Sequence, residues 1–252
     1  MKKVSITNNE HNEIYLRSFY NKLYRQDQIR NPAVKIYDQL RINAIQFFAK
    51  NAGPRVLIVG CGSNLDHDLF LDNNLVYYFD ISFIAVKSVY YNGIKAFTAD
   101  ALSIPLPSHS FDLIVCSEVL EHIPEVSTAV SEFARLLTSS GTLIVSSPNW
   151  FSWFGKARLI GEFLRRKPFH SSDQPYDDWK TIWKFKKELA PWFEIIDKRG
   201  VWYLPPLHYR NRGISEKCMN RIYTFYKPIE TLLSKKIPYL GHLLVLKCQL
   251  RQ

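Results

Sequence analysis

Residues 56–64 read Val-Leu-Ile-Val-Gly-Cys-Gly-Ser-Asn, an apolar run of strand length ending in two glycines one residue apart. A continuous apolar run is the pattern of a parallel strand buried on both faces. Gly60 and Gly62 let the chain turn tightly at the carboxyl end of that strand and leave bare backbone for a ligand to lie against. Asp80 follows Gly60 by 20 residues and closes a second apolar run, Leu75-Val-Tyr-Tyr-Phe79. A carboxylate there can accept hydrogen bonds from two ribose hydroxyls. The pattern is that of an adenosine-type ligand at the start of a doubly wound sheet.

With 252 residues, 46% of them hydrophobic, the chain can bury a full core as one domain. Its charge is uneven. Residues 151–252 carry 20 of the 33 Lys and Arg against 9 of the 23 acids, a surplus of 11 positive charges in a total of +10, so the first 150 residues are nearly balanced. Cys61, Cys116, Cys218 and Cys248 lie far apart with no Cys-x-x-Cys pair, which argues against a zinc site or a disulfide framework and suits a reducing cytosol. The first ten residues hold no apolar core of signal-peptide length. No apolar stretch approaches the roughly 20 residues of a membrane helix.

Residues 12–50 read as helical, with Asn31-Pro32 as a start and Gly53-Pro54 as a stop; Ala33, Tyr37, Leu40, Ala44, Phe47 and Phe48 recur at helical spacing. Strands are expected at 55–60, 75–80, 95–98, 111–116, 142–147, near 193–197 and at 242–247. Their spacing implies crossovers and a mainly parallel sheet. Val126, Ala129, Val130, Phe133, Leu136 and Leu137 mark a core helix over 125–137, with Gly141 as its end signal. Residues 204–240 form a long connection with one amphipathic helix, its stripe running Ile214, Cys218, Ile222, Tyr226, Ile229 and Leu233.

A lone Gly-x-Gly is weak, but further motifs follow in order: Ala99-Asp100-Ala101, Ile104-Pro-Leu-Pro107, Ser110-Phe-Asp-Leu-Ile-Val115, Ser117-Glu-Val-Leu-Glu-His-Ile123 and Leu136 through Asn149. This set resembles the class I S-adenosylmethionine-dependent methyltransferases, in particular the group typified by the ubiquinone and menaquinone methyltransferases. The resemblance covers residues 50–150 well and 170–200 loosely. It implies an α/β, Rossmann-like, doubly wound and mainly parallel seven-stranded sheet, with a helical insertion before the last strand. It also implies the cofactor S-adenosyl-L-methionine. Gly60, Cys61 and Gly62 would pass beneath the methionine and ribose portions, and Asp80 would hold the ribose hydroxyls with Ile81 packing on the adenine. Asp100 would accept from the adenine amino group, Ala101 would lie against the ring, and Ser117 would line the sulfonium end. Two positions depart from the family: an acid usually stands where Ile58 does, and a third glycine where Asn64 does. Read without the resemblance, Asp80 and Asp100 are helix caps and Cys61 is a small residue in a crowded turn rather than a reactive thiol. A nicotinamide dinucleotide site would require a glycine where Leu65 stands.

A phenol or alcohol acceptor benefits from a base, typically histidine. His122, after the fourth strand, is the first candidate and His170 the second. Glu118, Glu121 and His122 resemble a set that ligates a divalent ion in ubiquinone-type O-methyltransferases and would share a helix face; the plainer reading, that Glu121 and His122 open a helix, is preferred and no metal is assigned. Trp150, Trp153, Phe154, Ala157, Ile160 and Leu164 repeat at helical spacing beside Lys156, Arg158, Arg165, Arg166 and Lys167. Residues 150–167 are thus either a lid over an acceptor pocket, the favoured reading, or a basic amphipathic helix for an anionic membrane surface. Nucleic acid is set aside, since no recognition module accompanies the charge. The whole reads as a single domain, 1–252: N-terminal helices over 1–50, a cofactor half over 51–150, and an acceptor half over 151–252 with the insertion at 204–240. The expectation is a cytoplasmic methyltransferase acting on oxygen or nitrogen of a small-molecule or lipid-linked acceptor. A non-catalytic cofactor-binding protein is the alternative.

Overall fold

The computed structural model describes residues 9–25, 32–62, 75–90, 94–166, 175–205, 208–209, 212–213 and 215–251. Two helices, α1 (Asn9–Leu23) and α2 (Pro32–Ala49), precede the sheet. Then come β1 (Val56–Val59), β2 (Val76–Asp80), α3 (Phe83–Tyr90), β3 (Lys95–Thr98), β4 (Phe111–Ser117), α4 (Val126–Leu136) and β5 (Leu137–Pro148). The second half adds α5 (Trp153–Arg165), α6 (Ile182–Leu189), β6 (Phe193–Val201), a short hairpin β7 (His208–Tyr209) and β8 (Arg212–Gly213), α7 (Glu216–Lys236) and β9 (Leu243–Leu250). Seven strands form one sheet in the order β3-β2-β1-β4-β5-β9-β6. β1 to β5 are mutually parallel, and β9 runs antiparallel to both its neighbours. The expected seven-stranded α/β architecture, with a helix inserted before the last strand, is the one observed.

The apolar runs are continuous because both faces of the sheet are covered. Leu57, Val59, Ile114, Cys116, Leu143 and Val145 face one way, onto Ala129, Val130 and Phe133 of α4 and Phe185 and Leu189 of α6. Val56, Ile58, Leu113, Val115 and Ile144 face the other way, onto Ile45 and Phe48 of α2, Ala85, Val86 and Val89 of α3, and Met219 of α7. Alternation along each strand thus feeds two cores.

Three local expectations are corrected. Gly141 does not end α4: the chain turns extended at Leu137 (φ −74°, ψ 143°) and runs directly into β5, which contains Gly141. On α2, Phe47 is exposed and the buried line is Asp38, Arg41, Ile45 and Phe48, so two charged residues face inward. On α7, Ile229 is half exposed while Met219 and Glu230 are buried, and Ile214 lies outside the described residues. Residues 99–110 form no helix; Ile104-Pro-Leu-Pro107 is pinned to α4 instead, with Arg135 donating to the Ile104 and Leu106 carbonyls (3.0 and 2.8 Å) and Glu132 accepting from the Ile104 N–H at 3.0 Å.

The insertion is anchored by one carboxyl. Trp202 adopts a left-handed backbone (φ +64°) after β6, and Glu230 accepts from the N–H groups of Trp202 (2.6 Å) and Tyr203 (3.2 Å). Burial pushes the Glu230 carboxyl up to about 6. Glu230→Ala leaves both N–H groups without a partner, and we expect it to lower the unfolding free energy by about 2–4 kcal/mol in urea titrations. A carboxyl raised in the folded state is most stabilising while protonated, and that contribution fades as pH rises through about 6. The gap between wild type and variant should therefore be about 1 kcal/mol wider at pH 5 than at pH 7.

Candidate functional site

The carboxyl ends of β1, β2 and β4, with the turn after β3, open into a cavity of about 360 Å3. Gly60, Cys61, Gly62, Asp80, Ile81, Asp100, Ala101 and Ser117 all line it, and so does His122. His170 lies outside the described residues, as do Asn64 and Leu65.

The turn after β1 is built on glycine conformations. Gly60 (φ +78°) and Gly62 (φ +44°) are both left-handed, and a Cβ on Gly60 would sit 2.5 Å from Val119 Cγ2. No L side chain fits there without displacing Val119. The Gly60 N–H donates to the Phe79 carbonyl at 2.8 Å, which draws the turn against the end of β2. Asp80 then locks it: Oδ2 accepts from the Gly62 N–H (3.0 Å) and Oδ1 from the Ser82 N–H (2.8 Å). Ser82, not Asp80, caps α3, through Oγ and the Ala85 N–H at 3.3 Å. The Cys61 N–H and thiol bear on the same Asp80 carboxylate, which lines the cavity. Burial raises the Asp80 carboxyl above the ordinary value of 3.8, while these N–H bonds oppose the shift. Asp100 caps no helix either; its Oδ1 accepts from the Leu102 N–H at 2.9 Å and closes a turn. The Cys61 thiol is pushed well up by burial and by the Asp80 charge, so it stays protonated.

Helix α1 roofs the cavity with Glu13, Leu16 and Tyr20, and Tyr24 in the turn after it joins them. Its Asn21 Oδ1 accepts from Ser82 Oγ (2.8 Å) and the Ile84 N–H (3.1 Å), tying the roof to the start of α3. The sequence reading missed this roof, and at the end of β4 it named Ser117 and Glu118 without their partners Arg41 and Tyr37. Ser117 Oγ accepts from Arg41 Nη1 at 2.7 Å and lies 2.9 Å from Ser146 Oγ. Glu118, at φ +54°, accepts a hydrogen bond from the Tyr37 hydroxyl at Oε1 (2.7 Å) and has Arg41 Nε 3.6 Å from Oε2. The helix that would align Glu118 with Glu121 and His122 is absent: residues Leu120–His122 form one short 3-10 turn after the left-handed Glu118. Among the described residues, no three His, Cys, Asp or Glu side chains gather to hold a metal ion. Glu121 is buried, and desolvation, then the Glu118 charge, raises its carboxyl far above the usual range.

His122 has a defined tautomer. Its Nδ1 lies 2.9 Å from the Tyr176 carbonyl, an acceptor only, so Nδ1 carries the proton and Nε2 is left with a lone pair. Burial lowers the imidazole pKa below 6.5, against the opposing effects of the Tyr176 carbonyl and Asp177. The ring is neutral at pH 7.

Comparison with known proteins agrees with this geometry. A methyltransferase domain model matches residues 57–145. A ubiquinone biosynthesis O-methyltransferase of Pseudomonas putida is 32% identical over 193 residues, covering 68% of this chain and 78% of that protein. The chain belongs to the class I S-adenosylmethionine-dependent methyltransferases. A probable S-adenosylmethionine-dependent methyltransferase of Mycobacterium tuberculosis is 29% identical over 130 residues; the match covers 50% of this methyltransferase and 46%, about half, of the relative. Among solved structures, the magnesium protoporphyrin IX methyltransferase of Synechocystis, with bound SAH, shares the fold at a TM-score of 0.60 and 16% identity, over 97% of this chain and 100% of that one.

The cofactor of this methyltransferase is S-adenosylmethionine, and the cavity suits it. The left-handed Gly60 and Gly62 turn lines it at the end of β1, and the Asp80 and Asp100 carboxylates line it beside that turn. The dinucleotide alternative is therefore dropped.

Proposed function

We propose that this methyltransferase methylates an oxygen or nitrogen nucleophile of a small-molecule or lipid-linked acceptor, with His122 as general base. The observation that carries the proposal is the neutral imidazole lining the cavity, its Nδ1–H fixed on the Tyr176 carbonyl and its Nε2 able to take a proton. S-adenosylmethionine supplies a methyl group already activated by the sulfonium. The residues then have only to hold the reacting groups in line, and positioning alone is worth several kcal/mol. In this reading Gly60, Cys61 and Gly62 form the floor, and Asp80 accepts from the ribose hydroxyls. Ile81 and Ala101 pack on the adenine, Asp100 accepts from its amino group, and Ser117 lines the reacting end. Roofing by Tyr20 and Tyr24 excludes water. His170 is kept as a second base candidate from the sequence alone.

Incubating the protein with methyl-labelled cofactor and a cell extract tests the activity. A labelled small molecule or lipid in the extract is the expected result. Absence of any labelled product, with cofactor binding intact, would favour the non-catalytic alternative, whose support is the pair of departures at Ile58 and Asn64.

A lipid-linked acceptor draws support from α5. Trp153, Ile160, Phe163 and Leu164 are 55%, 60%, 82% and 74% exposed, with Lys156 and Arg166 beside them. Arg158 is turned inward, stacked 4.8 Å from both Trp150 and Trp179 and paired with Asp177 at 2.8 Å. Of the apolar stripe, Trp150 and Phe154 pack inward, Phe154 at 4.3 Å from the His242 ring and Trp150 at 5.6 Å from Trp179. A lid would bury this stripe; an outward apolar face flanked by cations suits a peripheral helix on an anionic bilayer. No helix among the described residues is long and apolar enough to cross one, so the contact proposed is peripheral. Wild-type protein should float with vesicles rich in anionic lipid, and the pair Ile160→Ser and Phe163→Ser should cut the floated fraction about tenfold. Equal flotation of the two proteins would end the membrane reading.

A further inference from the structure

The cofactor's amino-acid end is a zwitterion, an α-ammonium beside a carboxylate, and a buried zwitterion requires an anion and a cation in the wall. The position from which the family usually supplies the anion cannot do so here. Ile58 is fully buried in the core between the sheet and α2, level with Val115 of β4. The ammonium then requires another acceptor at this end of the cavity.

Glu118 stands in the right place. β1 and β4 run in parallel register, with Val59 beside Cys116, so Glu118 lies just past the strand end where the Gly60 turn begins. The adjoining Val119 packs so closely on that turn that it fills the space a Gly60 side chain would need. Glu118 lines the cavity, and so does Arg41 from α2. Its backbone is left-handed (φ +54°), a conformation that costs a non-glycine residue of order 1 kcal/mol and gathers where function demands it. The Glu118 N–H donates to the Ser146 carbonyl at 3.1 Å, which holds that bend. The carboxylate is oriented by the Tyr37 hydroxyl and faces Arg41, whose own Nη1 is fixed on Ser117. Glu13 belongs to the opposite end of the cavity, where its charge and that of Arg17 act on Asp100.

We propose that Glu118 binds the α-ammonium and Arg41 the carboxylate of the cofactor's amino-acid end, replacing the acid absent at Ile58, with Tyr37 as a positioning residue. This rests on the assignment of S-adenosylmethionine as cofactor.

Calorimetric titration with two ligands tests it: S-adenosylhomocysteine, which has the amino-acid end, and 5′-methylthioadenosine, which lacks it. Glu118→Gln should weaken S-adenosylhomocysteine by about 10- to 100-fold while changing 5′-methylthioadenosine by less than about twofold. Tyr37→Phe, which removes one hydrogen bond to Glu118, should reproduce the selective loss at roughly fivefold. Undiminished binding of 5′-methylthioadenosine also shows that each variant is folded. Equal weakening of both ligands, or no weakening of S-adenosylhomocysteine, would overturn the proposal and leave the cofactor assignment standing. Wild-type protein that binds neither ligand would overturn both.

Discussion

Replacing Asp80 by alanine is expected to weaken S-adenosylhomocysteine binding by about 100-fold or more. Two charge-assisted bonds from ribose hydroxyls would be lost together, each of the stronger kind. The same carboxylate bonds the N–H groups of Gly62 and Ser82, so the substitution also loosens the turn that carries the floor of the cavity. We expect the ligand-free protein to lose about 1–3 kcal/mol of stability for that reason. Titration at a temperature well below the variant's melting point, with the fold checked by circular dichroism, separates the two effects. Asp80→Asn should behave similarly, because an amide nitrogen cannot accept a hydrogen bond. The pH dependence has a definite sign: the Asp80 carboxyl is raised above 3.8, so protonation should begin to weaken binding at a higher pH than for an ordinary aspartate. An Asp80→Ala variant within about threefold of wild type would remove Asp80 from the ribose site.

His122→Ala should slow methyl transfer by about 10²- to 10⁴-fold, the usual worth of a general base. Affinity for S-adenosylhomocysteine should change by less than about threefold, because the loss falls on chemistry rather than on cofactor binding. Assays would use the acceptor recovered from the labelling experiment. Since burial lowers the imidazole pKa, the base is already deprotonated at pH 7, and the wild-type rate should be level there. It should decline on the acid side at pH below 6.5, where the ring gains a proton. The alanine variant should lack that acid limb. An unchanged limb in the variant would assign it to another group.

The parts of the fold legible from sequence were those with unbroken local patterns. β1, β2 and β4 are covered on both faces and so read as apolar runs, and the glycines after β1 mark a turn that other residues cannot make. The cavity residues on those strand ends came with them. The rest depended on contacts distant along the chain. Asn21 of α1 acts on Ser82 and Ile84, and no local spacing reveals such a partner. The buried face of α2 also carries Asp38 and Arg41, whose charges disguise it; Tyr37, Leu40, Ala44 and Phe48 of the expected stripe do pack on the core, while Phe47 points out. Nothing about a glutamate signals the left-handed bend of Glu118. Gly141 looked like a helix end because glycine usually is one there, yet Leu137 ends α4 by entering a strand that the core pulls straight. On α5 the spacing identified a stripe without its orientation; Arg158, drawn in by two tryptophans and Asp177, decides which side faces the protein.

The position of β9 bears on how the polypeptide acquires its shape. Among the described residues β6 pairs with no strand of the sheet except β9, from which 41 residues separate it in the sequence, the hairpin and α7 among them. While synthesis proceeds in sequence order, β5 and β6 thus wait with hydrogen-bonding edges open until that later segment slides between them. Closing so large a loop is entropically slow, and until it closes the exposed borders invite pairing with other chains. Chaperone demand and aggregation during biosynthesis should therefore be concentrated in this final intercalation rather than in the earlier parallel half.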